Sequence, residues 1–195
     1  MIVVEIGSGK SPGPFFDGAD PHFIVDRDRD ALTESAERHP EFTPMFGSDA
    51  TRLDLPDSSV DIVLARNVFG DPALGIDKRT LGMVYGLQTL MVDDYDTSGL
   101  AELNGGLDST QYSYKQRIAR EASRVLIGGG KFIVIEQYTP PVAEAFFHRL
   151  ATDPDGVPEL SFATLPIVDI TPITYSRQHT TFYSDTAIVG IKMNT

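Results

Sequence analysis

The chain contains no cysteine, few basic residues and no long apolar run. Without cysteine there is no disulfide, no thiolate metal site and no cysteine nucleophile. Lys and Arg number 16 against 28 Asp and Glu, giving a formal net charge of −12 and a pI near 4.6. Phosphate contacts need clustered basic side chains, so this balance argues against nucleic acid and against an anionic membrane surface as partners.

Targeting and membrane signals are also missing from the sequence. No window approaches the roughly 18 apolar residues of a membrane span, and the first residues lack a basic region followed by an apolar core. We therefore expect a cytoplasmic protein. Its 195 residues, 41% hydrophobic and 23% charged, predict a single domain over residues 1–195 that buries a full core.

The strongest local signal lies at the start of the chain. Residues 2–6 are β-branched except for Glu5, and Gly7 and Gly9 follow directly. This pattern predicts a strand buried on both faces that ends in a ligand-binding turn. A carboxylate at Glu5 must find donors inside the protein or on a ligand, because burying it unpaired costs several kcal/mol; a ligand ammonium or the amides of the glycine turn are the candidates.

Two further acids stand where consecutive strands end. Residues 22–26 predict a second strand ending in Asp26, and residues 41–46 predict a third strand followed by Asp49. In doubly wound α/β folds a carboxylate at the tip of the second strand accepts hydrogen bonds from ribose hydroxyls. Between these strands, residues 28–39 predict a helix with Asp28 as its N-cap.

The same residues leave other ligands open. Gly-Ser-Gly-Lys-Ser at 7–11 is similar to the end of a phosphate-binding P-loop, although that motif needs its first glycine at the position of Val4. Asp26-x-Asp28-x-Asp30 is similar to a calcium loop, although Ala31 stands where that loop needs glycine. Neither pattern is complete, and we expect no metal.

The rest of the chain alternates predicted helices and strands. Phe15–Ala19 predicts a short helix or turn, and the amphipathic helix at Tyr112–Leu126 is expected to end at Gly128–Gly130, with Arg124 on its exposed face. The remaining predictions are strands at 60–65, 131–137, 162–170 and 182–192, a helix at 142–150, and a long loop around 171–181.

Three motifs together resemble the class I S-adenosylmethionine-dependent methyltransferases. They are Glu5-x-Gly7-x-Gly9, then Asp49 with Leu55-Pro56-Asp57-x-Ser59-x-Asp61, and Arg124-Val125-Leu126-x-x-Gly129-Gly130. The resemblance implies a three-layer α-β-α sandwich, with a mostly parallel seven-stranded sheet and a C-terminal antiparallel hairpin whose last strand is inserted between its neighbours. A nicotinamide enzyme shares the first two acids, but the third glycine of its fingerprint is missing and Asp49-Ala50 has no place in it.

The resemblance also implies the cofactor, S-adenosylmethionine, and its contacts. Asp26 would hold the ribose, Asp49 and the backbone N–H of Ala50 the adenine, and Glu5 the ligand ammonium. The full set of implied cofactor residues is Glu5, Gly7, Ser8, Gly9, Asp26, Arg27, Asp49, Ala50, Arg66 and Asn67. No motif places a general base, for which Glu136, Tyr138 and Tyr85 are candidates.

Residues 71–110 do not follow the family pattern. A helix near 77–92 followed by a mobile segment is expected there, either as a lid that supplies specificity or as cover for the sheet. Acidity and the tyrosine-bearing insertion favour a small-molecule or peptide acceptor over nucleic acid. Two alternatives stay open: a homodimer, and a non-catalytic cofactor-fold module that needs a partner to complete its pocket.

Overall fold

The computed structural model describes residues 1–10, 16–17, 21–66, 68–69, 98–135, 140–153, 155–166, 174–175 and 186–194. Nine strands lie at Val3–Ile6 (β1), Phe16–Asp17 (β2), Phe23–Val25 (β3), Thr43–Pro44 (β4), Val60–Arg66 (β5), Leu126–Ile135 (β6), Leu160–Pro166 (β7), Thr174–Tyr175 (β8) and Thr186–Lys192 (β9). Three helices lie at Arg29–Arg38 (α1), Ser98–Val125 (α2) and Pro140–Thr152 (α3). None of the described helices is long and apolar enough to cross a membrane.

Seven of the strands form one sheet in the order β4-β3-β1-β5-β6-β9-β7. The first five are mutually parallel, and β9 runs antiparallel to both β6 and β7. This confirms the predicted α/β fold, including the insertion of the last strand between its neighbours. Because β1, β3, β4 and β5 are parallel, their carboxyl ends meet at one edge of the sheet, where such folds bind ligands.

The centre of the sheet is buried on both faces, as the β-branched run predicts. Val4 of β1 and Val63 of β5 pack in one cluster with residues of α2 and α3. Their neighbours in the same strands, Val3 and Leu64, pack in a second cluster on the other face of the sheet. All four side chains are at most 2% exposed. Each contributes about 1.5–3 kcal/mol relative to leaving it in water, so the two faces anchor the strand tips that carry the site.

Helix α1 is confirmed with its predicted cap. The Oδ1 atom of Asp28 accepts hydrogen bonds from the N–H groups of Asp30 and Ala31, at 3.0 and 3.1 Å. These bonds satisfy two of the free donors at the helix start. Ala31 and Leu32 are buried as expected, and Ser35 is buried beside them.

Several predicted boundaries around the third to fifth strands are wrong. The third strand is only Thr43–Pro44, and α2 begins at Ser98, so 98–110 is helical where a mobile segment was expected. Gly128–Gly130 does not follow a separate helix end, because β6 starts at Leu126, directly after α2. Opposite Val60 and Ile62, β6 pairs through Leu126 and Lys131, so the glycines form an irregularity in the strand, with Gly129 at φ +77°.

The predicted helix or turn at Phe15–Ala19 and the predicted loop at 171–181 are also wrong in part. Phe16–Asp17 is a strand that pairs antiparallel with Thr174–Tyr175. The segment that follows the first glycines is therefore joined to the connection between β7 and β9. A pairing between segments so far apart in sequence has no local signal.

Arg124, expected on the exposed face, is half-buried and clamps the loop at Leu53–Asp57 to α2. Its guanidinium donates to Glu121 and Asp57 and to the carbonyl oxygens of Leu53 and Leu55, at 2.5–3.0 Å. Glu121 in turn accepts from the N–H of Leu53 at 2.6 Å. The two ion pairs of Arg124, with Asp57 and with Glu121, thus fix the loop that follows Asp49.

We predict that Arg124→Ala lowers the free energy of unfolding by about 2–4 kcal/mol, because the carbonyl oxygens of Leu53 and Leu55 lose this donor and the Glu121 carboxylate keeps only the N–H of Leu53. Arg38→Ala is the matched control, since Arg38 pairs with Glu34 on the exposed side of α1 and should contribute less than about 1 kcal/mol. Urea denaturation measures both. Equal losses in the two variants would contradict the clamp.

Candidate cofactor site

The glycine turn after β1 uses left-handed backbone at both glycines. Gly7 has φ +70° and Gly9 has φ +58°. The N–H of Gly7 donates to the carbonyl oxygen of Val25 at 2.8 Å, which holds the turn against the end of β3. A Cβ at Gly7 would collide with Cγ2 of Val68, whereas a Cβ at Gly9 would meet no atom within 4 Å. Gly7 is needed for packing, and Gly9 leaves open space above the turn.

Asp26, at the tip of β3, ties this turn to the start of α1. Its Oδ2 atom accepts from the N–H of Gly9 at 2.7 Å, and its Oδ1 atom accepts from the N–H of Asp28 at 2.8 Å. An ionised carboxylate offers about four lone-pair positions, so roughly two remain for ligand donors. Asp26 and Asp28 thus both accept hydrogen bonds from backbone N–H groups. The described part of the chain contains no cluster of three or more metal-ligating side chains.

Helix α1 also holds the glycine turn from the other side, which the sequence analysis missed. The buried Ser35 hydroxyl donates to the carbonyl oxygen of Gly9 at 2.6 Å, and Lys10 pairs with Glu34 at 2.9 Å. With Asp26 on its N–H and Ser35 on its C=O, Gly9 is fixed at both ends. The sequence carried one signal of its burial, because Ser35 lies on the same helical face as Ala31 and Leu32.

Asp49 lies after β4 and is held by three donors. The N–H and Oγ1 of Thr51 donate to Oδ1 at 2.7 and 2.5 Å, and the Tyr114 hydroxyl donates to Oδ2 at 3.1 Å. Burial acts to raise the pKa of Asp49, but the hydrogen bonds from Thr51 and Tyr114 and the charge of Arg117 hold that pKa below its ordinary value. Asp49 is an anionic acceptor at neutral pH.

Tyr114 is the second site residue that the sequence analysis missed. It lies four residues before the buried Ile118, on the inward side of α2, and the guanidinium of Arg117 lies 5.1 Å from its ring centroid. Burial, together with the charge of Asp49 and the hydrogen bond to it, raises the pKa of Tyr114 to about 12. The hydroxyl therefore stays protonated, and it can only donate to Asp49.

A cavity of about 390 Å³ joins these groups at the carboxyl edge of the sheet. Six of the predicted cofactor residues line it, namely Gly7, Gly9, Asp26, Arg27, Asp49 and Ala50. The wall also includes Lys10, Val25, Asp28, Ala31, Val68 and Tyr114. The cavity thus combines carboxylate acceptors at two strand tips with apolar surface and an exposed glycine backbone, which suits a polyhydroxylated, flat ligand such as a nucleoside.

Glu5 has a partner inside the protein that the sequence did not indicate. Nε and Nη2 of Arg66, on the neighbouring strand β5, donate to its Oε1 atom at 3.1 and 2.7 Å. Glu5 is fully buried and Arg66 is 8% exposed, and neither is among the residues that line the cavity. The ion pair supplies donors that a buried carboxylate needs, so the predicted contact of Glu5 with a ligand ammonium stays a prediction.

Of the remaining predicted site residues, the structure describes Ser8 but not the other four. Ser8 is buried within the turn, and its Oγ atom has no hydrogen-bond partner among the described residues. Asn67, Tyr85, Glu136 and Tyr138 lie outside the described residues, as does the helix predicted near 77–92. Phe69, expected in the core or the pocket wall, is a core residue that packs against Phe132 and Phe147.

No family model and no curated protein sequence matches the chain. Several solved structures do match the chain. One is from the complex between the Haloferax volcanii Trm112 methyltransferase activator and a methyltransferase, with 15% identity over 99% of this chain and 83% of that chain, at a TM-score of 0.53. Another is TrmN from Thermus thermophilus, with 16% identity over 99% of this chain and a TM-score of 0.52. The match spans 44% of TrmN, under half its length.

The chain has the fold of the class I methyltransferases. At these identities the likeness concerns the fold alone. Lower-scoring neighbours include an rRNA methylase from Streptococcus thermophilus, at 8% identity over 99% of this chain and 87% of that chain with a TM-score of 0.48. The expectation that this chain does not bind nucleic acid rests on its charge and stays a prediction.

The two glycines of the turn give a matched test of its geometry. We predict that Gly9→Ala costs about 1–2 kcal/mol of folding free energy, for the left-handed backbone alone. Gly7→Ala should cost about 1–3 kcal/mol more, because its Cβ also collides with Val68. Denaturant unfolding of both variants measures the difference, and equal costs would rule out the close packing at Gly7.

Proposed function

We propose that the cavity binds S-adenosylmethionine and that the chain is a methyltransferase. The observation that carries this proposal is the meeting of three groups in one cavity: the glycine turn, Asp26 at the tip of β3, and Asp49-Ala50 after β4. These three groups are the ones that the motif resemblance assigns to the nucleoside. The class I methyltransferase fold supports the same assignment.

The ribose and the base would use acceptors and donors that the protein leaves open. Asp26 has about two lone-pair positions left for the ribose hydroxyls after its bonds to Gly9 and Asp28. Asp49 keeps one acceptor position at Oδ2, and the N–H of Ala50 donates to no atom in the described part of the chain. One acceptor and one donor on neighbouring residues match the amino group and ring nitrogen at the edge of adenine.

The chemistry would be an in-line displacement at carbon. S-adenosylmethionine held by these residues would supply an electrophilic methyl group on its sulfonium, with the thioether as the leaving group. The protein's part is to hold the two reactants in line, which can contribute about 7–11 kcal/mol. Glu136, Tyr138 and Tyr85 remain the proposed bases where the acceptor must lose a proton, and a small molecule or peptide remains the proposed acceptor.

A second candidate is a cofactor-binding module that works only with a partner chain. The neighbour from the Haloferax volcanii complex was solved with a methyltransferase activator, which is the observation that favours this reading. Calorimetry and product formation separate the two candidates. A lone chain that binds S-adenosylmethionine but methylates no member of an acceptor panel supports the partner-dependent module.

We predict that Asp26→Ala weakens binding of S-adenosylhomocysteine by about 100-fold or more. The variant loses two charged hydrogen bonds to the ribose, worth about 1.5–3 kcal/mol each, together with the bond that orders Gly9. Isothermal titration calorimetry measures the dissociation constant.

Asp30→Ala is the control for this variant. Asp30 is an exposed acid in the first turn of α1, four residues from Asp26, and it is not among the residues that line the cavity. Its affinity should equal that of the unmodified chain. No binding of either cofactor form by the unmodified chain, or unchanged affinity in Asp26→Ala, would overturn the proposed site.

A further inference from the structure

Three hydrogen bonds fix the carboxylate of Asp49 at both of its oxygens. Three of its roughly four acceptor positions are taken, two on Oδ1 by Thr51 and one on Oδ2 by Tyr114. A carboxylate bonded at both oxygens cannot rotate about its Cβ–Cγ bond to suit a ligand. Only one acceptor position, on Oδ2, remains for a ligand in the cavity.

The Tyr114 hydroxyl is what fixes Oδ2. It comes from α2, far along the chain from Asp49, and Tyr114 lines the same cavity. Arg117 stacks over the ring of Tyr114, and Ile118 and Ala119 anchor the next turn in the core. Since Asp49 is an acceptor only, the direction of this hydrogen bond is set: the tyrosine donates, and the carboxylate presents its remaining lone pair elsewhere.

We propose that Tyr114 is a positioning residue that makes the site select adenine by locking the carboxylate of Asp49. The proposal rests on the proposed function, since it takes the ligand to be an adenosyl compound. The locked acceptor and the N–H of the next residue, Ala50, both belong to residues that line the cavity, so together they suit a base with an amino donor next to a ring acceptor. Hypoxanthine reverses both groups, with an oxo acceptor next to a ring N–H.

Because hypoxanthine has its donor and acceptor reversed relative to adenine, the fixed orientation of the Asp49 carboxylate decides which base fits. Against a fixed carboxylate, the oxo group of hypoxanthine meets a lone pair, and its ring N–H meets the N–H of Ala50. Without the Tyr114 hydroxyl, only the two Thr51 donors on Oδ1 hold the carboxylate, so Oδ2 can shift away from the oxo group and towards the ring N–H of hypoxanthine. Loss of the Tyr114 hydroxyl should therefore weaken adenine binding and also relax the discrimination between the two bases.

The test compares S-adenosylhomocysteine with S-inosylhomocysteine by titration calorimetry. We expect the unmodified chain to prefer the adenosyl ligand by about 100-fold or more. In Tyr114→Phe the affinity for S-adenosylhomocysteine should fall about tenfold, and the preference should shrink by about tenfold. The ratio is the informative quantity, because a general loss of structure would weaken both ligands alike.

Tyr112→Phe is the matched control. Tyr112 lies on the same helix, and its hydroxyl donates to an aspartate, Asp153, at 3.0 Å, but it is not among the cavity residues. It should leave both affinities and their ratio unchanged. Both variants keep the aromatic ring, and equal thermal unfolding temperatures would verify that both fold.

The outcomes separate this proposal from the function on which it rests. A smaller ratio in Tyr114→Phe alone supports the positioning role. An unchanged ratio in Tyr114→Phe overturns that role and leaves the proposed cofactor intact, because the adenosyl ligand still binds. A chain that binds neither ligand overturns both the cofactor and the role of Tyr114.

Discussion

The hydrogen bond between Asp26 and the N–H of Gly9 is the contact on which the candidate site depends. It joins the tip of β3 to the turn after β1, and the second oxygen of Asp26 joins that tip to the start of α1. Ser35 closes the arrangement from within α1 by bonding the carbonyl oxygen of Gly9. The glycine backbone is flexible in isolation, so its shape here comes from these three elements.

Acidic side chains concentrate at the carboxyl edge of the sheet, so their negative charge has to be balanced there. Three acids lie near the tips of neighbouring strands in an already acidic protein, and they are compensated in two ways. Glu5 is paired with Arg66 in the core, whereas Asp26 and Asp49 are held mainly by neutral donors. The first acid is thus neutralised internally, and the other two keep negative charge that faces the cavity.

The sequence predicted the parts of this site that depend on local pattern. Apolar strands ending in glycine or in an acid placed Gly9, Asp26 and Asp49 at one edge, because parallel strands end together. It did not predict Tyr114, Arg124 or Arg66 in their actual roles, since each acts on a residue more than 60 positions away. Helical periodicity says which side of α2 is buried, but not which loop that side meets.

Helix α2 links the stability of the domain to the shape of the cavity. Through Glu121 and Arg124 it holds the loop at Leu53–Asp57, and through Tyr114 it holds the side chain of Asp49, just before that loop. Both contacts arise from one helix whose buried face is set by Ile118, Ala122 and Val125. The segment from Asp49 to Asp57 contains no helix or strand of its own, so its geometry depends on a helix that is packed independently against the sheet. A change in the seating of α2 would therefore alter the Asp49 end of the cavity before it altered the Asp26 end, which α1 and β3 hold.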